Sequence, residues 1–276
     1  MKGWLFMAAR YIPMDLGFEH YSRIKHDLNA KEYAKILAEI SKERYAPVNV
    51  SEAYDLYFKG ELVIPDKVRV IWLHDIERPS DNFLARRMAE MEQEFGFHTT
   101  YNIRLVSLIE PAWRDELYKI CELGGEIQYQ HEDLVICNGD KEAAIESFKQ
   151  NMQYVRSFFP NVRFAFGHGV FRSGLDSAAL VKNPDESYSE ELIKKCGLPE
   201  SGELYAFFDR LKKEYGEDRC FYIIESRVIG GDEFAAGLRA SKPGDVVIFL
   251  QHPTWWSDSY DFEELKFVMR KSKFFH

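Results

Sequence analysis

The residues Val68 to Glu77, VRVIWLHDIE, constrain the fold of this 276-residue chain more than any other stretch. Val68, Val70, Ile71, Trp72 and Leu73 put apolar side chains on both faces of an extended segment. Such a segment needs cover on both faces, which places it inside a parallel sheet flanked by helices. The apolar run stops at His74, Asp75 and Glu77, where the strand should end. In α/β sheets and barrels, ligands bind beyond the carboxyl ends of the strands. The acid–x–acid step is therefore a candidate site, set against the plainer reading of two solvated loop acids before Pro79.

The chain downstream repeats this rhythm. Leu84, Met88, Met91 and Phe95 form the inward stripe of a helix that begins at Ser80 or Asp81 and closes at Gly96. FHTTYNI, from Phe97 to Ile103, is rich in strand formers. Helices are expected over 113–123, 142–158, 204–215 and 233–240, and strands over 126–130, 162–166, 220–224 and 245–250. This alternation predicts right-handed βαβ units and a mostly parallel sheet, open or closed into a barrel, with about seven strands. Residues 184–203 show no clear element and read as a surface loop or lid.

Upstream, Asn29 and Glu32 have the spacing of a capping box before the stripe Tyr33, Ile36, Leu37 and Ile40. A second short helix follows Ser51 and ends near Gly60. Residues 1–28 show no clean period, and no chemistry is assigned to them. The whole chain, 1–276, reads as one domain: a helical lead-in over 1–66, a core over 67–258 and a closing amphipathic helix over 259–276.

Composition narrows the function classes. A net charge of −9 and a pI near 5.5 argue against nucleic acid or an anionic membrane as partner, because either calls for a basic face. No apolar stretch is long enough to span a bilayer, and WLFMAA at the N-terminus is too short for a signal-peptide core. Cys121, Cys137, Cys196 and Cys220 are widely spaced without a C-x-x-C step, the pattern of reduced thiols in a cytoplasmic protein.

Four strands end in groups able to ligate or to move protons: His74, Asp75 and Glu77; Gln130, His131, Glu132 and Asp133; His168 between two glycines; and His252 before Pro253. If the strands are parallel, these groups gather at one rim. Carboxylate and imidazole ligands suit zinc or a similar divalent ion, with a further carboxylate and histidine free to move protons. That combination points to metal-assisted hydrolysis.

The order of HDIE, FGFHTTYNIR, LGGEIQYQHEDL, FGHGVFRSG and DVVIFLQHPTWW resembles the polysaccharide deacetylase (NodB-homology) superfamily, in particular its divergent members with an HDVD-like first motif. The stretch from Glu32 to Pro65 resembles the lead-in common before that domain. The resemblance implies a distorted (β/α) barrel with fewer than eight repeats and a divalent metal, zinc being expected. It also implies removal of an acetyl or other acyl group from an N-acylated sugar or sugar precursor. Under it Asp75 is the general base, His252 the acid that protonates the departing amine, and Arg172 a residue that holds a carboxylate such as Asp75. Glu77, His131 and His168 are the expected metal ligands, and Glu132 and the ring faces of Trp255 and Trp256 the carbohydrate contacts; the two tryptophans read equally as packing groups.

The sequence departs from that pattern at the histidine pair the family carries as H-x-x-x-H, where Gln130 and Leu134 stand and His131 is displaced by one. Strand side chains alternate faces, so His131 reaches inward only if the strand has ended by Tyr129; otherwise Gln130 faces the centre. A non-catalytic carbohydrate-binding or assembly protein with a degenerate metal site is the alternative reading. A glycoside hydrolase using Asp75 and Glu132 is a third, to be decided by their separation.

Overall fold

A computed structural model describes residues 28–169, 174–224 and 231–256. The expected elements within residues 1–27 and 257–276, including the closing helix, lie outside the described residues, as does Arg172.

The protein is α/β, with a curled parallel sheet that forms a half-barrel. Among the described residues the strands are β1 (Tyr45–Val48), β2 (Val68–Ile76), β3 (Thr100–Ile103), β4 (Glu126–His131), β5 (Ala165–Gly167), β6 (Cys220–Ile224) and β7 (Val246–Gln251). The order across the sheet is β5-β4-β3-β2-β7-β6, with β1 beside the first half of β2, and every pairing is parallel. The helices are α1 (Ala30–Ile40), α2 (Val50–Phe58), α3 (Asp81–Glu94), α4 (Pro111–Glu122), α5 (Asp133–Ile136), α6 (Lys141–Phe158), α7 (Glu190–Lys195), α8 (Leu204–Tyr215) and α9 (Gly231–Ala240).

Local sequence accounts for most of these boundaries. The Asn29 side chain accepts from the Glu32 amide at the start of α1. Gly96 takes φ +75° to end α3, a conformation that costs glycine nothing. Two expectations need correction. Residues 184–203 are not free of structure, because Ser189 caps the six-residue helix α7. Phe95 is 41% exposed rather than buried, since α3 ends one residue earlier and the side chain leaves the inward stripe. β1 was not anticipated: four residues with Pro47 among them offer too short a pattern to read.

Strand alternation sorts the interior into layers. On β2, Val68, Val70 and Trp72 face outward into a cluster with Tyr33, Ile36 and Leu37 of α1, Leu84 and Met88 of α3, and Phe234 and Leu238 of α9. Ile71 and Leu73 face inward, where they meet Val246, Ile248 and Leu250 of β7. Among the described residues β5 and β6 are the two ends of the sheet and do not pair with each other. Leu204, Phe207, Phe208 and Leu211 of α8 fill that side of the inner core, each fully buried. Burying a Leu or Phe in this way stabilises by roughly 1.5–3 kcal/mol, so α8 is a main contributor to the cover of that side. Among the described residues no helix is long and apolar enough to cross a membrane.

Candidate active site

The inward face of the half-barrel turns from apolar to polar at its carboxyl end. Leu73 of β2 lies in register with Leu250 of β7, so continuing two residues along each strand brings Asp75 beside His252. The distance from His252 Nε2 to Asp75 Oδ2 is 4.0 Å. Glu77, just past the end of β2, sits at the hub. Its Oε1 is 3.6 Å from His252 Nε2 and accepts a 3.3 Å hydrogen bond from Gln130 Nε2, while its Oε2 is 2.6 Å from His168 Nε2. Asp75, Glu77 and His252 each offer a ligand atom, all within 4.8 Å of one another.

The supports are as specific as the hub. Asn102, opposite Asp75 in the β2–β3 register, donates Nδ2 to Asp75 Oδ1 at 2.7 Å. Arg104, two residues on and on the same face, grips both oxygens of Glu132 and donates to the Glu77 backbone carbonyl at 2.6 Å. His168 Nδ1 lies 2.7 Å from Glu132 Oε1, so both ring nitrogens meet a carboxylate. The turn that carries His168 is anchored by Glu203, which caps α8 through the Ala206 amide and accepts from the Gly167 amide. Position 167 must be glycine, because a Cβ there would come within 2.7 Å of the Ala178 nitrogen.

The electrostatics follow from this crowding. Burial pushes the Asp75 carboxyl up to about 7, against the opposing pull of His252. Burial also acts to raise Glu77 and Glu132, but His168 and Arg104 outweigh it and hold both well inside the ionised range. For His168 burial works against the charged form, and the two flanking carboxylates reverse it, raising the group to about 10. Glu77 is 25% exposed and His252 20%, so the cluster opens to solvent while Asp75 sits at its floor.

This donor set fits a divalent ion. It combines carboxylate and imidazole at ligand spacing. In addition, Asn102 Oδ1 and Gln130 Oε1 are buried acceptors without a hydrogen-bond partner, the kind of oxygen that takes a cation or a donor.

Of the residues singled out in the sequence, Asp75, Glu77, Glu132, His168 and His252 come together. His131 does not. β4 continues through His131, so strict alternation sends Gln130 inward and turns His131 to the outer face. There it is 0% exposed, edge-on to Phe148 at 5.2 Å, and neither ring nitrogen has a hydrogen-bond partner. Its expected role as metal ligand is therefore corrected. Trp256 is corrected too: it is 3% exposed and packs between Tyr33 and Phe234, so its faces are covered by the outer core. Trp255 is half-buried in the turn after His252, its amide donating to the His252 carbonyl.

His74 also leaves the strand-end group. It faces outward and meets Glu92, which further accepts from Tyr33, Thr99 and Tyr101 in a buried network. Asn102 and Arg104 were missed in the sequence. Their signal was the polar alternation Thr100, Asn102, Arg104 along a segment read only for its strand formers. No protein-family model, curated protein or solved structure matches the chain.

Proposed function

We propose that the protein is a cytoplasmic metal-dependent hydrolase of an amide C–N bond, acting on an N-acylated sugar or sugar precursor on a barrel of the polysaccharide deacetylase type. The observation that carries the reading is the convergence of Asp75, Glu77 and His252 within 4.8 Å at the carboxyl ends of β2 and β7, with His168 against Glu77. Four free cysteines accord with a reducing compartment.

Glu77 and His168 are the residues that would hold the ion, which when bound supplies a Lewis acid for the amide carbonyl and lowers the pKa of water. Asp75 has the properties of a general base: a raised pKa near the working range, one oxygen fixed by Asn102 and the other toward the cluster. His252, partly exposed and 3.6 Å from Glu77 Oε1, would give a proton to the departing nitrogen. Metal analysis of purified protein, with acetate release from N-acetylated sugars, tests the reading. Asp75→Asn and His252→Ala should each lower the rate by 10²-fold or more; unchanged hydrolysis in both removes these roles.

A second reading has its own observation. Gln130 faces the site where the deacetylase pattern has a histidine, and His131 is turned away. A carbohydrate-binding protein with a degenerate centre would show this, and would bind sugar without holding a stoichiometric divalent ion.

A further inference from the structure

The Glu132 carboxylate has no oxygen left for a substrate. Oε1 meets His168 Nδ1 at 2.7 Å and Arg104 Nη2 at 2.9 Å, while Oε2 accepts from Arg104 Nε at 3.1 Å and from Nη2 at 3.0 Å. The expected carbohydrate contact is therefore replaced by a different role. We propose that Glu132 is the positioning residue of the centre: it holds Nδ1 of His168 and, braced by the Arg104 fork, turns Nε2 toward Glu77 so that Nε2 and the Glu77 carboxylate form one ligand edge for a divalent ion. The inference rests on the metal-dependent reading.

Three features of the geometry carry it. A neutral imidazole presents one lone pair to a metal, and a carboxylate on its other nitrogen fixes which nitrogen that is and the ring orientation. Glu132 engages Nδ1, and Nε2 is then 2.6 Å from Glu77 Oε2. Arg104 makes the brace rigid. It binds Glu132 on β4's end through a planar fork and the Glu77 carbonyl on β2's end through Nη1 at 2.6 Å, so one guanidinium sets the spacing between ligand and brace. The backbone closes the arrangement, since the His168 amide donates to the His131 carbonyl at 3.0 Å and keeps β5's end against β4.

The test is Zn²⁺ affinity, measured by competition with a chromophoric chelator, beside the ¹⁵N ring spectrum of His168 in metal-free protein. Glu132→Ala should weaken Zn²⁺ binding about 10- to 100-fold and shift the Nδ1 resonance as its carboxylate partner is lost. Glu132→Gln keeps an oxygen for Nδ1 and should lose less. Because Glu132→Ala leaves Arg104 without its partner, the double variant R104L/E132L, which removes the pair together, is measured as well and should weaken binding equally. Zn²⁺ affinity within twofold of the parent in both Glu132→Ala and the double variant, or a His168 Nδ1 resonance unchanged in them, overturns the positioning role and leaves the metal-dependent reading standing. A parent protein that binds no Zn²⁺ overturns that reading and the role with it.

Discussion

Replacing His131 by leucine gives the sharpest check on how β4 presents its side chains. His131 is fully buried against Phe148 with both nitrogens unpartnered, and burial pushes its pKa from 6.5 down to about 4. Between those values the unfolded chain takes up a proton that the folded chain refuses. The folded state therefore has its full stability above pH 6.5 and loses it as pH falls toward 4. Integrated over that window the loss approaches about 3 kcal/mol, of which about 2 kcal/mol has accrued at pH 5 relative to pH 7.5. Leucine has nearly the same volume and no titrating group. It should cost less than about 1.5 kcal/mol at pH 7.5, and relieve the acid loss. The assay is urea unfolding of parent and variant at both pH values, read as the difference of differences so that other titrating groups cancel. A variant that loses as much as the parent at pH 5 would refute the burial argument. A tenfold drop in Zn²⁺ affinity on the same substitution would refute the outward placement and return His131 to the ligands.

Three further outcomes are expected. In metal-free protein Asp75 should titrate near pH 7 by ¹³C NMR and higher still in Asn102→Leu, which removes a hydrogen bond that favours the carboxylate; since the folded value lies above the unfolded one, the group favours folding at acid pH and the advantage fades as pH rises through about 7, and a midpoint near 4 would contradict this. Glu92→Ala strands His74, Tyr33, Thr99 and Tyr101 without their shared acceptor, and should cost roughly 3 kcal/mol or more in urea unfolding. Its Zn²⁺ affinity should be unchanged because the network lies on the outer face, and loss of binding would show coupling between the two faces. Gly167→Ala forces a Cβ to within 2.9 Å of the Ala178 Cβ, so it should destabilise by about 1–3 kcal/mol and weaken Zn²⁺ binding by displacing His168; a neutral result in both would mean the turn yields freely.

The two faces of β2 explain why some of the centre was legible and some was not. A run of apolar residues ending in charge marks a buried strand and its carboxyl end, because the pattern is local and the requirement for cover is general. Asp75, Glu77, His168 and His252 could be singled out on that basis. His74 and Asp75 are neighbours in sequence, yet one enters the buried Glu92 network and the other the candidate centre. Alternation alone says that they separate, and only packing says which way. His131 was ambiguous for the same reason, since its direction depended on whether β4 persisted one residue further.

The sequence by itself determined the class of fold: alternating strand and helix patterns, the cap at Asn29, and apolar stripes follow from steric and hydrophobic rules that act over a few residues. The tertiary structure decided the register that sets Asp75 beside His252, the packing of α8 into the inner core, and the bridge from Arg104 through Glu132 to His168. Those contacts join residues tens to more than a hundred positions apart, and their partners are chosen by the shape of the packed core rather than by any pattern near them in the chain.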